Sequence, residues 1–283
     1  MAAKGCIIDD KWVNGGSATN PTQLPDKLDD SHELYLYVSV PCPFAQSVWI
    51  AKELKNVPQL NVVVTSPIQG DEGWSFDETY PDRVLNKKNL HEVYSAAGSH
   101  YTGASSVPLV YDATTKSLAS NTTVVLMGIC DQIGKNQTYT LFPKDKEQDI
   151  KAFIATLGGK LNYFAAMNKS EEDAKAALAP LLAYLEELDS RLKDQKYIFG
   201  DHLTAADVRL FTILVRYELL AVGVIKAARS LKEYPNVWRH TKDIYNTANI
   251  KDTINQKQVR DGFYLKYGIN PGPVAQPELD LSA

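Results

Sequence analysis

The apolar run Leu34-Tyr-Leu-Tyr-Val-Ser-Val40 stops at Pro41, and Pro43 then opens a stretch in which Ala45, Val48, Ile50, Ala51 and Leu54 recur at helical spacing. A second β-rich run, Leu60-Asn-Val-Val-Val64, follows. Strand, helix and strand in this order make a βαβ unit, which few folds accommodate. The long segment from Thr65 to about Arg83 exceeds what a compact domain leaves irregular without a use for it. Asn86 to Ala97 then reads as a helix ended by Gly98. Val107-Pro108-Leu-Val-Tyr111 reads as a strand, Asp112 to Lys116 as a turn, the residues around Leu118 as a short strand, and Asn121 to Ile133 as a helix. The order β-α-β-α-β-β-α predicts a thioredoxin-like domain with a mixed four-stranded sheet and helices on both faces.

From Asp145 the strand signal disappears. Helical patterns cover Ile150 to Met167, Ser170 to Lys193, Thr204 to Val222, Pro235 to Tyr245 and Ile250 to Leu265, which predicts an all-helical second domain. Thr204-Ala-Ala-Asp207 has the form of a capping box flanked by Leu203 and Val208, and Pro235 suits a first helical position. The expected division is an N-terminal arm at 1–33 with little apolar periodicity, the thioredoxin-like domain at 34–134, the helical domain at 145–267, and an extended tail at 268–283. The fold class is α/β plus all-α.

The 283 residues carry 30 Lys plus Arg against 34 Asp plus Glu, a net charge of −4, so no basic field awaits nucleic acid. No apolar stretch approaches a membrane span, and the first residues lack the basic and apolar regions of a secretory signal. The Asn-x-Ser/Thr triplets at Asn121, Asn136 and Asn168 therefore read as coincidental. Three cysteines, Cys6, Cys42 and Cys130, form neither a disulfide ladder nor a CxxC clip. A reducing, cytoplasmic setting is expected.

The chemistry concentrates at Pro41-Cys42-Pro43-Phe44-Ala45, where the first strand of the βαβ unit gives way to the helix. A cysteine at that position lies over the unpaired amides and the positive end of a helix, which favour thiolate over thiol. Because the residue three further on is Ala45, no internal disulfide can form and the site is monothiol. Val107-Pro108 is the second element: a proline opening the third strand of such a sheet is often cis, with the preceding backbone turned toward the cysteine. Cys130, on an apolar helix face with Val125, Leu126 and Ile129, reads as core, and Cys6 has no assigned role. The five histidines have neither metal spacing nor a triad partner, so no metal is expected. Of the aromatics in the helical half, Tyr163, Tyr217, Trp238, Phe263 and Tyr264 among them, most read as core, with one or two lining a cleft.

With these motifs the chain resembles the glutathione transferase superfamily, and within it the Xi class, the glutathionyl-hydroquinone reductases. The resemblance runs from about Leu34 to Pro273. It includes Gly70-Asp-Glu-Gly-Trp74-Ser-Phe76, Tyr101-Thr-Gly103, Leu203-Thr-Ala-Ala-Asp207, Leu214-Val-Arg-Tyr-Glu218, Tyr234-Pro-Asn-Val-Trp238 and Ile269-Asn-Pro271. It implies that Cys42 attacks the glutathionyl sulfur of an S-glutathionyl hydroquinone and holds glutathione as a mixed disulfide, which a second glutathione resolves. Glutathione would then lie against Phe44, Trp74, Val107 and Pro108, with Thr122 and Thr123 at its γ-glutamyl end. Tyr217, Ala221, Phe263 and Tyr264 would face a small aromatic second substrate. A homodimer is implied as well.

The chain departs from the family pattern at several of these places. Phe44 stands for Trp, Gln46-Ser47 for His-Arg, Ala104 for an arginine, Thr122-Thr123 for Glu-Ser, Ala221 for a tyrosine, and Gly262-Phe263-Tyr264 for His-Tyr-Tyr. Two charged contacts to glutathione are thereby lost, together equivalent to about a hundredfold in affinity. Two other readings use the same residues. One is an Omega-like thioltransferase or dehydroascorbate reductase, and the other a non-catalytic ligand-binding protein on the transferase scaffold.

Overall fold

The structure, a computed structural model, describes residues 5–247, 249–269 and 279–282. Strands β1 (Gly5–Ile8) and β2 (Lys11–Asn14) form a hairpin. A mixed sheet follows, built from β3 (Leu34–Val38), β4 (Leu60–Val64), β5 (Leu109–Asp112) and β6 (Ser117–Ser120) in the order β4-β3-β5-β6. β3 runs parallel to β4, with Leu34 opposite Leu60, and antiparallel to β5, with Leu34 opposite Asp112. Interleaved with these strands are α1 (Pro43–Lys55), α2 (Leu90–Ala96) and α3 (Thr123–Ile133). The order beginning at β3 is the thioredoxin-like one predicted.

Helix α1 starts at Pro43 because a proline loses nothing at the first helical position, and it stops at Asn56, which turns left-handed with φ 51°. It is buried on two sides, packing against α3 and against a helix of the second half. That explains why its polar Gln46 and Ser47 are as fully buried as Val48 and Ile50.

The second half contains α4 (Glu147–Lys160), α5 (Glu171–Arg191), α6 (Ala205–Arg216), α7 (Pro235–Tyr245) and α8 (Gln256–Tyr267). Every residue of α6 is buried, and it packs on α1, α4 and α7. Its first turn is organised by Asp207, whose carboxylate accepts hydrogen bonds from the Thr204 N–H (2.9 Å) and hydroxyl (2.8 Å) and from the Ile198 N–H (2.8 Å). Among the described residues no helix is long and apolar enough to cross a membrane.

Several boundaries differ from the periodicity reading. The hairpin corrects the picture of an unpatterned arm. Asp9 and Asp10, at φ 50° and 60°, make the two-residue turn that matches strand twist. Ile7 is fully buried and bonds Gly103 backbone to backbone, so the arm is an added strand pair rather than a loose wrap. Helix α2 begins only at Leu90, because Glu92 folds back to accept the N–H groups of Lys88 and Asn89. The helix expected to reach Met167 ends at Lys160, just after Gly158-Gly159, and resumes as one 3₁₀ turn at Tyr163–Ala166.

The helix expected to run to Val222 changes after Arg216 into a π turn, Tyr217–Ala221. The last one begins as a 3₁₀ turn, Lys251–Thr253, and restarts where Asn255 caps α8 by accepting the Gln258 N–H. Residues 270–278 and 283 of the expected extended tail lie outside the described residues. Between them Leu279 exchanges two hydrogen bonds with Gln256, and Asn246 donates to the Leu281 carbonyl.

Candidate functional site

Cys42 is the N-cap residue of α1, with its backbone extended (φ −82°, ψ 114°) and its side chain half-buried. Its thiol donates to the Val107 carbonyl at 3.5 Å, and the Val107-Pro108 peptide bond is cis. The two elements that looked functional in sequence therefore meet, 65 residues apart along the chain. The other cysteines are buried, and desolvation pushes the Cys130 thiol up to about 12. Cys42 is the one partly exposed cysteine among the described residues.

The long segment after β4 delivers Trp74. Asp82 organises that segment by accepting the N–H groups of Val84, Leu85 and Lys87 and the hydroxyl of Tyr37 from β3. The Trp74 carbonyl takes the N–H of Leu90, and Trp74 is 8% exposed. The Lys266 ammonium of α8 lies 5.9 Å from the Trp74 ring centroid. Burial lowers the Lys266 pKa and the nearby Cys42 opposes that shift, which puts lysine, tryptophan and cysteine in one neighbourhood. Phe44, one position into α1, is 49% exposed, with the Arg209 guanidinium 4.1 Å above its ring.

Thr122 caps α3 and Thr123 is its first residue. The carboxylate that the family pattern carries at Thr122 is absent there, yet one stands beside it. Asp26 of the N-terminal arm accepts from the Ser120 hydroxyl at 2.6 Å and from the Thr122 hydroxyl at 3.4 Å.

The four residues expected to face a second substrate are divided. Phe263 packs against Phe164 (5.2 Å between centroids) and Tyr267 (4.5 Å), with Phe164 43% exposed, so an aromatic patch does form on α8 and the 3₁₀ turn. Tyr264 donates to the Leu219 carbonyl. The Tyr217 hydroxyl is spent on the Arg229 backbone, donating to its carbonyl and accepting its N–H. Ala221 is fully buried at the end of the π turn.

Sequence reading missed Phe164, Tyr267, Lys266 and Asp26, because nothing in their local pattern announces a cleft. It also missed Arg209 and Arg216, for which there was a signal: two arginines within a largely apolar helix whose every residue is buried.

Gly262 shows how closely α8 approaches the cysteine turn. A Cβ there would meet the Pro67 carbonyl oxygen at 2.2 Å and the Pro41 Cγ at 2.7 Å. Gly262→Ala is therefore expected to destabilise the protein by about 1–3 kcal/mol through overpacking, read from denaturant titration. An unchanged midpoint would mean that α8 can stand off from Pro41 freely.

Residues 156–243 match the family described as glutathione S-transferase, C-terminal domain. The glutathionyl-hydroquinone reductase YqjG of Escherichia coli is 28% identical over 273 residues, covering 92% of this chain and 83% of that protein. Its glutathione-bound structure superposes with a TM-score of 0.79 at 27% identity, covering 88% of this chain and 86% of that one. The Xi-class transferase of Natrialba magadii superposes with a TM-score of 0.87 at 24% identity, over 99% of this chain and 95% of that one. These matches support the Xi class of the glutathione transferases as the family that this chain resembles.

Set beside these Xi-class relatives, the departures from the family pattern acquire physical content. Gln46 accepts from Arg216 Nη1 at 2.5 Å and donates to the Thr253 hydroxyl at 3.2 Å. Ser47 donates to the Pro43 carbonyl at 2.8 Å and lies 3.2 Å from the Thr212 hydroxyl. Both residues serve the joint between α1 and α6 rather than the open face of the cleft.

Proposed function

We propose that this Xi-class transferase removes glutathione from S-glutathionyl hydroquinones by way of a Cys42-glutathione mixed disulfide. The observation that carries the reading is a half-buried thiol at the N-terminus of α1, in contact with the Val107 carbonyl and without a second cysteine beside it. A single thiol cannot resolve its own disulfide, so the resolving thiol comes from a second glutathione.

In the first step the Cys42 sulfur attacks the glutathionyl sulfur. The S–S bond forms as the aryl C–S bond breaks, and the bonding pair leaves with the ring carbon, which takes a proton to give the free hydroquinone. In the second step the thiolate of another glutathione attacks the mixed disulfide, releasing oxidised glutathione and the Cys42 thiolate. The sum is one glutathionyl hydroquinone and one glutathione converted into one hydroquinone and one oxidised glutathione.

Trp74, Phe44 and the Val107-Pro108 backbone bound the glutathione site in this reading. Thr122 and Thr123 take the γ-glutamyl end, with the Asp26 carboxylate available to its ammonium. Phe263, with Phe164 and Tyr267 beside it, offers the aromatic face for the hydroquinone. The thioredoxin-like part at 34–134 holds glutathione and the helical part at 145–267 the aromatic substrate. The protein works as a cytoplasmic homodimer.

The test is turnover of a glutathionylated hydroquinone with glutathione, following both products. Equal amounts of hydroquinone and oxidised glutathione are expected, and their absence under conditions where Cys42 is reduced and the protein folded would sink the reading. The Omega-like alternative draws support from Ala221 and Gly262, which remove hydroxyl and imidazole groups from the aromatic side of the cleft. It predicts reduction of dehydroascorbate at a rate exceeding that on the quinol conjugate.

A further inference from the structure

Helix α6 presents Arg209, Thr212 and Arg216 along one face, and that face lies on the turn carrying Cys42. Arg216 is 2% exposed and uses its donors on four neutral acceptors: the Pro41 carbonyl at 2.9 Å, the Val40 carbonyl at 2.8 Å, the Thr212 carbonyl at 2.8 Å and the Gln46 amide oxygen at 2.5 Å. Arg209, 4% exposed, reaches the Pro43 carbonyl at 3.5 Å and the Thr212 hydroxyl at 2.9 Å. The residues immediately before and after Cys42 are thus each held by a guanidinium from the same helix.

Buried arginines are ordinarily answered by a carboxylate, because a charge removed from water needs a counter-charge as well as hydrogen bonds. Among the described residues neither Arg209 nor Arg216 has one. The charged and titratable groups acting on them are Cys42, the hydroxyl of Tyr163 in the 3₁₀ turn and, for Arg216, Arg209 itself, while Lys266 of α8 interacts with Cys42. Burial lowers both guanidinium groups to about 10, and negative charge on Tyr163 or Cys42 opposes that shift. Burial also pushes the Tyr163 hydroxyl upward, so at neutral pH it stays uncharged. The remaining neighbour able to carry negative charge is the Cys42 sulfur.

We infer that Arg216, together with Arg209, is a positioning residue for attack by Cys42, fixing the carbonyls on either side of the sulfur and supplying the counter-charge to its anionic form. The inference rests on the reading of Cys42 as the nucleophile and extends it to the residues that make it one.

The test is the rate of Cys42 alkylation by iodoacetamide across pH, with Cys42→Ser as the blank. Arg216→Gln is expected to move the profile to higher pH by about one unit and to slow alkylation at neutral pH about tenfold. Arg216→Lys, which keeps the charge and loses the fork, is expected to stay close to the parent profile. A folded Arg216→Gln protein with the parent profile overturns the inference, as does an Arg216→Lys profile displaced as far as that of Arg216→Gln. Where circular dichroism shows Arg216→Gln unfolded, Arg209→Gln carries the same test, since that guanidinium rests on the exposed Phe44 ring. Alkylation consumes no glutathione, so this result stands apart from the hydroquinone assay.

Discussion

Cys42→Ser is expected to lower turnover of a glutathionyl hydroquinone by about four orders of magnitude or more and to abolish the glutathione adduct that oxidised glutathione places on the parent protein. A serine hydroxyl keeps the shape of the side chain but is not ionised at neutral pH and forms no disulfide. Serine is also a favoured N-cap, so the variant should fold and melt within about 1 kcal/mol of the parent, which separates lost chemistry from lost structure. Intact-mass spectrometry supplies the second readout. One adduct on the parent and none on the variant is expected, because Cys6 and Cys130 are buried and burial holds the Cys130 thiol protonated at neutral pH. An adduct surviving in Cys42→Ser would remove Cys42 from the mechanism.

Asp207→Ala should produce the largest loss of stability, about 3–5 kcal/mol, seen as a lower denaturation midpoint. Its carboxylate is fully buried and accepts from the Thr204 N–H and hydroxyl, from the Ile198 N–H and from His240 Nε2 at 2.9 Å. Removing it leaves those donors without an acceptor in a dry site and frees the first turn of α6. Helix α6 carries the two arginines that hold the cysteine turn, so the variant should also lose Cys42 reactivity. Asp207→Asn keeps the size and part of the hydrogen bonding and should lie between the two. A variant as stable as the parent would mean that α6 is held by its apolar packing alone.

Both variants concern features that differ in how they can be read. The strand that ends at Pro41, the helix that Pro43 opens and the strand at Leu60–Val64 are visible because their signals are local: a two-residue period, a proline at the first helical position and a 3.6-residue period. The same holds for α7, whose bounds Pro235 and Tyr245 are those that periodicity indicates. The capping role of Asp207 was also legible, since its partner Thr204 lies only three residues away. Reading failed where the deciding contact is distant. The hairpin at Gly5–Asn14 is stabilised by pairing with Gly103, and the division of α6 from its π turn occurs inside a continuous apolar pattern.

At the site, sequence alone singled out the proposed nucleophile: a lone cysteine at a strand-to-helix turn, with Ala45 denying it a partner and a Val-Pro pair available to face it. Those inferences need only neighbours in the chain and the electrostatics of a helix end. Tertiary structure decided what surrounds the sulfur. Arg209 and Arg216 lie over 160 residues away in sequence and yet flank it, Lys266 arrives from α8 past a glycine that lets the backbones touch, and Asp26 returns a carboxylate to Thr122 from the arm. Such placements follow from which helix faces pack together, and packing is a property of the whole fold that no local period encodes.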